Sequence, residues 1–313
     1  MYKYIFGRMI LGIPTLLAVL TLVFVIVRVL PGDPAQAALG DYASQEAVEA
    51  LRTKMGLDKP LWSQYLAFLG GLVQGDLGNS LITGKSVAEQ IRYVLPYSLQ
   101  LTVASVLIGV MLGVPLGILT ALRRNSAMDY LGRTFSLAGL SVPAFYLGIL
   151  LLLIFAVRLG WFPVVGGGEQ GDPQSLIVHL VLPAMTLGMI MTAYVTRFSR
   201  SAMLNVMGED YVRTARAKGL SERVVMVRHA LRTALIPIMS IIGILTVSLI
   251  GSSVMTEIVF SRPGLGKMMV GAMKQRDYTT LQSVMVIYAL IIVMINVLVD
   301  VLYGVVDPRV RYD

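Results

Sequence analysis

Residues Met9–Val27 read MILGIPTLLAVLTLVFVIV, nineteen residues without a charge. At 1.5 Å of rise per residue, a helix of about 20 apolar residues crosses the hydrocarbon core of a bilayer. Lys3 and Arg8 precede the run and Ala35-Gln36-Ala37 follows it, as around a cleaved signal sequence. Signal sequences carry an apolar region of about 7–15 residues, so this longer run reads as an uncleaved anchor. Five further segments pass the same test: Leu99–Leu122, Phe135–Leu159, Leu176–Thr196, Leu235–Val254 and Leu281–Val306. The fourth of the six spans is the weakest, because His179 and Pro183 interrupt it. Lipid offers backbone N–H and C=O groups no water, so long apolar runs of this kind predict helices. The expected fold class is an all-α integral membrane protein with six transmembrane helices.

Composition agrees. The chain is 56% hydrophobic and 14% charged, with a mean hydropathy of +0.75, where a soluble domain carries about 25% charge. With no cysteine, disulfides, thiolate metal sites and cysteine nucleophiles are excluded. His179 and His229 lie far apart in sequence, so no histidine-rich metal cluster is expected, and no cofactor.

The net charge of +8 fits either a nucleic-acid partner or positively charged cytoplasmic loops. Its distribution decides. With the N-terminus inside, Lys3, Arg8, Arg123, Arg124, Arg133, Arg309 and Arg311 are cytoplasmic, as are eight basic residues between spans four and five. That is fifteen of 26, and five of the eleven others fall in one long outer loop, where charge bias carries little weight. Both termini are expected in the cytoplasm, with lipid rather than nucleic acid as the surrounding partner.

Three regions follow: residues 1–30 with the first span, an extracytoplasmic loop at 31–97, and a five-helix core at 98–313. In the outer loop SQEAVEALRTKMGL (44–57) predicts a short helix, capped by Ser44 and ended by Gly56. Leu61–Val73, with Trp62, Tyr65 and Phe68, suits a helix at the membrane interface, or a loop packed on the spans.

The loop after span four, RFSRSAMLNVMGEDYVRTARAKGLSERVVMVRHALRTALIPI (197–238), is the most informative segment. Ser201–Lys218 predicts a helix, Gly219 suits the left-handed residue that ends it, and Ser221 with Glu222 starts another. Around that break stand Arg213, Ala215, Ala217 and Gly219. Small residues admit another backbone and arginines offer planar donors to carboxylates or carbonyls, so the break reads as a docking surface. Ordinary helix packing under positive-inside charge reads it equally well.

The segment DYVRTARAKGLS (210–221) resembles the cytoplasmic loop of ABC-importer permeases, in the branch that imports dipeptides, oligopeptides, glutathione or nickel. In that family a Glu-Ala-Ala motif followed by glycine forms a short helix that docks in a groove of the ATPase subunit. Gly219 matches the glycine, and Thr214 and Ala215 fall at the alanine positions. Arg213 stands where the wider family has glutamate, and the usual Leu-Pro is displaced to Pro237. The resemblance implies an ATPase-docking segment comprising Asp210, Tyr211, Arg213, Thr214, Ala215, Arg216, Ala217, Lys218 and Gly219. RVLPGDPA (28–35), GLDKPLWSQYLAFLGGLVQGDLGNS (56–80), SVPAFYLGILLLLIFAVRLGWFPVVG (141–166), RDYTTLQ (276–282) and VDVLYGVVDPRVRY (299–312) resemble the same branch. In VFSRPGLGKMM (259–269), Pro263, Gly264 and Gly266 predict an irregular turn, which the resemblance implies dips toward the pore mouth as an outer gate, with an ordinary surface turn as the alternative.

Other motifs point to packing. GNSLITGKS (78–86) has five residues between its glycines where a phosphate-binding loop needs four. GGGEQG (166–171) follows a span rather than a strand, so it reads as an outer loop. Gly109, Gly113 and Gly117 repeat a G-x-x-x-G spacing that lets a neighbouring helix approach, with a pore-lining face as the alternative. Pro115, Pro143, Pro183 and Pro237 interrupt or begin spans and predict kinks. Glu257 and Asp300, near span ends, are placed to reach the interface, with a transport role as the alternative.

The resemblance implies a type I importer permease in a bacterial inner membrane, forming half of a substrate pathway. The chain is not expected to be an enzyme, with the ATPase activity on partner subunits. Its implied partners are a homologous second permease, two ATP-binding subunits and an extracytoplasmic substrate-binding protein. The alternative is an ion-coupled secondary transporter, which would carry midspan acids and repeated broken helices.

Overall fold

The computed structural model describes residues 2–29, 34–40 and 43–306. Pro31, Gly32, Asp33 and the tail with Arg309 and Arg311 lie outside the described residues. In chain order the helices are α1 (Tyr2–Val29), α2 (Pro34–Leu39), α3 (Gln45–Lys54), α4 (Leu61–Val73), α5 (Val87–Leu122), α6 (Ala127–Ser141), α7 (Ala144–Leu151), α8 (Pro173–Met207), α9 (Asp210–Ala217), α10 (Glu222–Val224), α11 (Arg232–Val259), α12 (Leu265–Lys274) and α13 (Tyr278–Val306). Leu152–Arg158 and Val225–Leu231 are π-helical. Among the described residues the only β pairing is an isolated bridge, Asn79 to Ser86.

Among the described residues, five helices are long and apolar enough to cross a membrane, six if α6 and α7 form one span. The expected third span, Phe135–Leu159, is broken at Pro143 rather than only kinked there. The chain bends by 102° between α6 and α7. Pro143 lacks an N–H and disfavours the helical conformation of the residue before it, and Val142 is extended at φ −91° and ψ 122°. Pro183 and Pro237 lie inside α8 and α11 without ending them.

Two compact units divide the chain: Met1–Ile5, Tyr97–Arg262 and Ile295–Asp313 in one, Phe6–Pro96 and Pro263–Met294 in the other. In the second unit, Ser44 accepts the Ala47 amide at 3.3 Å and caps α3 as expected. Helix α4 lies on α1, with Tyr65 Oη 2.6 Å from Thr21 Oγ1 and Phe68 stacked on Phe24, while Leu61, Trp62 and Leu66 stay exposed. Asp277, from RDYTTLQ, is buried. It accepts Ser80 Oγ at 2.5 Å, Thr280 Oγ1 at 2.7 Å and the Leu81 amide at 3.2 Å. The glycine-rich loop GNSLITGKS is thus closed on a buried carboxylate, which gives it a structural role.

The first unit is built on a seam between α5 and α8. A Cβ at Gly109 would stand 2.5 Å from Met191 Cγ, and one at Gly113 2.8 Å from Val195 Cβ. At Gly117 it would meet Ser199 Cβ at 2.5 Å and the Thr196 carbonyl at 2.6 Å. The G-x-x-x-G repeat therefore packs helix on helix. Lipid tails are as apolar as leucine, so close van der Waals approach replaces the hydrophobic effect as the cohesive force. On the far side of α8, Gly139 of α6 would place a Cβ 2.5 Å from that of Ala193.

At one end of this unit a buried polar cluster ties α5 to the end of α11. Glu257, expected to reach the interface, is fully buried and accepts Ser98 Oγ at 2.7 Å. Arg262 is fully buried, donates Nη2 to Gln100 Oε1 at 3.0 Å and lies 5.2 Å from the Tyr97 ring centroid. At the other end, buried Asp129 at the start of α6 takes Arg200 of α8 at 2.6 Å and Arg133 at 2.7 Å.

Gly117→Ala places a methyl against backbone and should lower stability by about 1–3 kcal/mol in detergent unfolding. Gly251→Ala, where a Cβ meets nothing within 4 Å, should be neutral or stabilising by up to about 1 kcal/mol. Equal effects at the two sites would show that the seam is not close-packed.

Candidate functional site

The expected helix Ser201–Lys218 is two helices. α8 ends at Met207, Gly208 and Glu209 form a break, and Glu209 turns extended at φ −70° and ψ 147° before α9 begins. Asp210 occupies the first turn of α9, where a negative charge meets the positive end of the helix dipole.

Within α9, Val212 and Ala215 stand three apart and share one face. Both are buried, in a cluster with Met203 and Val206 of α8, Val225 and Met226 of the π-helical segment, and Ala121 of α5. Val212 has no exposed surface. The opposite face is bare: Tyr211 is 42% exposed, and Arg213, Thr214, Ala217 and Lys218 are exposed beside it. α9 is therefore a short helix plugged into the bundle by two side chains, with the rest of its surface turned out.

The helix ends on two crossed hydrogen bonds. The Gly219 amide donates to the Arg216 carbonyl at 2.9 Å and the Leu220 amide to the Ala215 carbonyl at 3.4 Å. This Schellman arrangement needs a left-handed residue, and Gly219 sits at φ +77°. Arg216 then bridges the turn to Glu222 at 2.8 Å, with Arg216 about one-third exposed. Arg213 and Asp210 pair at 3.3 Å, but at 71% and 95% exposure such a contact adds little. Ser221 stands at the start of α10 as expected, yet its side chain makes no capping bond. From α10 the chain runs through the π-helical segment into α11.

Eight of the nine expected docking residues thus lie on or beside the outward surface, and Ala215 is turned inward as an anchor. Val212, the other anchor, was not singled out from the sequence. Its signal was the 212/215 spacing between a basic face and a glycine. Asp129 was also missed, although Ser126-x-x-Asp129 is a helix-start pattern and Ser126 Oγ accepts the Asp129 amide at 3.4 Å.

The irregular turn after α11 is present, but its tightest residue is Ser261 at φ +48°. Gly264, at φ 179°, is extended backbone open to any residue, and Gly266 is buried inside α12. Pro263 is half-buried in that turn. His179 Nδ1 lies 2.8 Å from the Ser175 carbonyl one turn earlier in α8. Among the described residues no group of three His, Cys, Asp or Glu side chains is placed to hold a metal ion.

The fold and the site together are a bundle of membrane-length helices that carries a short, anchored helix between two of its spans. Residues 113–312 match the family described as "Binding-protein-dependent transport system inner membrane component", and residues 1–102 match its N-terminal counterpart. The chain belongs to this family, and is a multi-pass inner-membrane permease. It is 41% identical to the di/tripeptide transport system permease protein DppB of Pseudomonas aeruginosa, over 100% of this chain and 99% of the relative. It is 42% identical to the glutathione transport system permease protein GsiC of Pectobacterium atrosepticum, over all of both chains. Among solved structures, an inward-facing MetNI methionine ABC transporter aligns with a TM-score of 0.55 at 18% identity, covering 70% of this chain and 96% of that one. That likeness supports the fold, and the family places the chain among ATP-driven importers rather than ion-coupled secondary transporters.

Because space around Gly219 is open, substitution there acts through the backbone. Gly219→Asn, which tolerates the left-handed region, should leave ATPase co-purification near wild type. Gly219→Val should lose about 1–2 kcal/mol of local stability and reduce co-purification about tenfold. Equal retention by both variants would separate the turn from docking.

Proposed function

We propose that this chain forms half of the membrane pathway of a peptide importer and receives the ATPase through α9. The observation that carries the reading is the two-sidedness of α9: Val212 and Ala215 hold it in the bundle, and Tyr211, Arg213, Thr214, Ala217 and Lys218 face out. A helix held that way passes force inward, because displacing it disturbs a packed cluster with residues from α5, α8 and α11. The outward face offers an aromatic ring for a pocket and cations for carboxylates or carbonyls on a partner.

Both termini lie in the cytoplasm in this reading, as the charge distribution supports, so α9 meets ATP-binding subunits there. Two such subunits power the assembly, a homologous second permease completes the pathway, and an extracytoplasmic binding protein delivers substrate. ATP hydrolysis belongs to the partners; this chain supplies no catalytic group. The substrate class is short peptides or peptide-like compounds, dipeptides and glutathione foremost, supported by the full-length likeness to DppB and GsiC. Nickel chelates and longer peptides fall within the same branch. The turn at Pro263 and Gly264, with Gly266 in the first turn of α12, is the candidate outer gate.

The test reconstitutes the co-expressed complex in vesicles and measures ATP-dependent uptake of labelled dipeptide. Tyr211→Ala with Arg213→Glu should reduce uptake at least about tenfold with normal membrane insertion, as loss of an interface anchor predicts. Wild-type uptake in that variant would remove α9 from the coupling route.

A further inference from the structure

Between α6 and α8, on the Asp129 side of the first unit, lies an open cavity of about 420 Å³. Four guanidinium groups line it: Arg124, Arg133, Arg197 and Arg200. Asp129 answers two of them, Arg133 and Arg200. Among the described residues, Arg124 and Arg197 make no hydrogen bond or ion pair. The lining therefore carries a surplus of positive charge.

The floor is also unsatisfied. Ser136 and Thr196 line the cavity at 3% and 2% exposure, and neither hydroxyl has a hydrogen-bond partner. Threonines in membrane helices ordinarily bond the carbonyl one turn back. Thr186 and Thr192 on the same helix do so, at 2.8 and 2.7 Å. A buried hydroxyl left unbonded costs free energy unless a ligand takes it. The rim is apolar: Leu137 belongs to the lining at 59% exposure, and Leu131 on the same helix is 71% exposed.

We infer that this cavity binds the phosphate headgroup of an anionic phospholipid, with its acyl chains along the exposed face of α6. Planar guanidinium groups match phosphate oxygens, and two hydroxyls complete the donor set. A soluble anion would gain nothing from Leu131 and Leu137, whereas a lipid covers them. Basic pockets between spans at the cytoplasmic surface are where anionic headgroups gather. The inference rests on the cytoplasmic placement of this end proposed above, and is independent of the docking role of α9.

The test uses the co-expressed complex in detergent, titrated with phosphatidylglycerol, phosphatidylcholine or inorganic phosphate and read by native mass spectrometry. Wild type should retain phosphatidylglycerol in preference to phosphatidylcholine. Arg124→Gln with Arg197→Gln removes two unpaired charges without touching Asp129 and should weaken retention roughly thirtyfold. Thr196→Val, which keeps the side-chain shape, should weaken it less, with ATPase co-purification intact in all variants. Unchanged phosphatidylglycerol retention in the double variant would overturn the proposal, as would a second permease found covering the cavity. Inorganic phosphate binding as tightly as the lipid would overturn it in favour of a soluble anion. Loss of ATPase co-purification in wild type would instead count against the α9 reading.

Discussion

The close approach of α5 to α8 is the constraint on which the first unit depends. In lipid, two helices gain nothing by hiding leucine from a solvent that is itself hydrocarbon, so cohesion comes from contact distance. Gly109, Gly113 and Gly117 bring the backbone of α5 to where a methyl group would strike α8. The seam fixes α8 as a 35-residue strut. α8 in turn positions Arg200 for Asp129 of α6, presents Ala193 to Gly139, and delivers the chain to α9.

What hangs from the strut is mechanically simple. α9 is eight residues long, too short to be stable as an isolated helix. It is held by two inward side chains, by the Gly219 turn and by the Arg216–Glu222 pair across that turn. The cluster that receives Val212 and Ala215 also contains Ala234 and Ile238 of α11. A load on the exposed face of α9 is therefore shared by α5, α8 and α11. The buried Glu257 and Arg262 fasten α5 to the far end of α11. Ser98, Glu257 and Arg262 are all buried, so the two bonds hold that end of the bundle in register.

Much of this was legible in the residues, for identifiable reasons. Apolar run length located the spans, because a bilayer imposes a length that no tertiary contact overrides. The glycine repeat in α5 read correctly as packing, and Gly219 read correctly as a left-handed helix end. Pattern failed where tertiary partners decide. The break at Gly208 lies in a continuous helical pattern, and the burial of Val212 in the core cluster draws α9 inward after it. The 102° bend at Pro143 is larger than a proline kink inside a continuous helix, because the helix stops at Val142. Glu257, near a span end, was expected to reach the interface, yet it is buried against Ser98, 159 positions away in sequence. The irregular turn after α11 was legible from its proline and glycines, but its left-handed residue is Ser261 at φ +48°.

The central claim is that α9 meets the ATPase with one face and the bundle with the other. These 313 residues contain no cysteine, so a single introduced cysteine is the one thiol among them. Tyr211→Cys and Val212→Cys, each in the co-expressed complex, would be exposed to a short thiol cross-linker against an ATPase subunit carrying cysteines along its permease-facing groove. The account predicts efficient cross-linking from position 211 and essentially none from position 212. Equal cross-linking from both positions, or from neither, would contradict it.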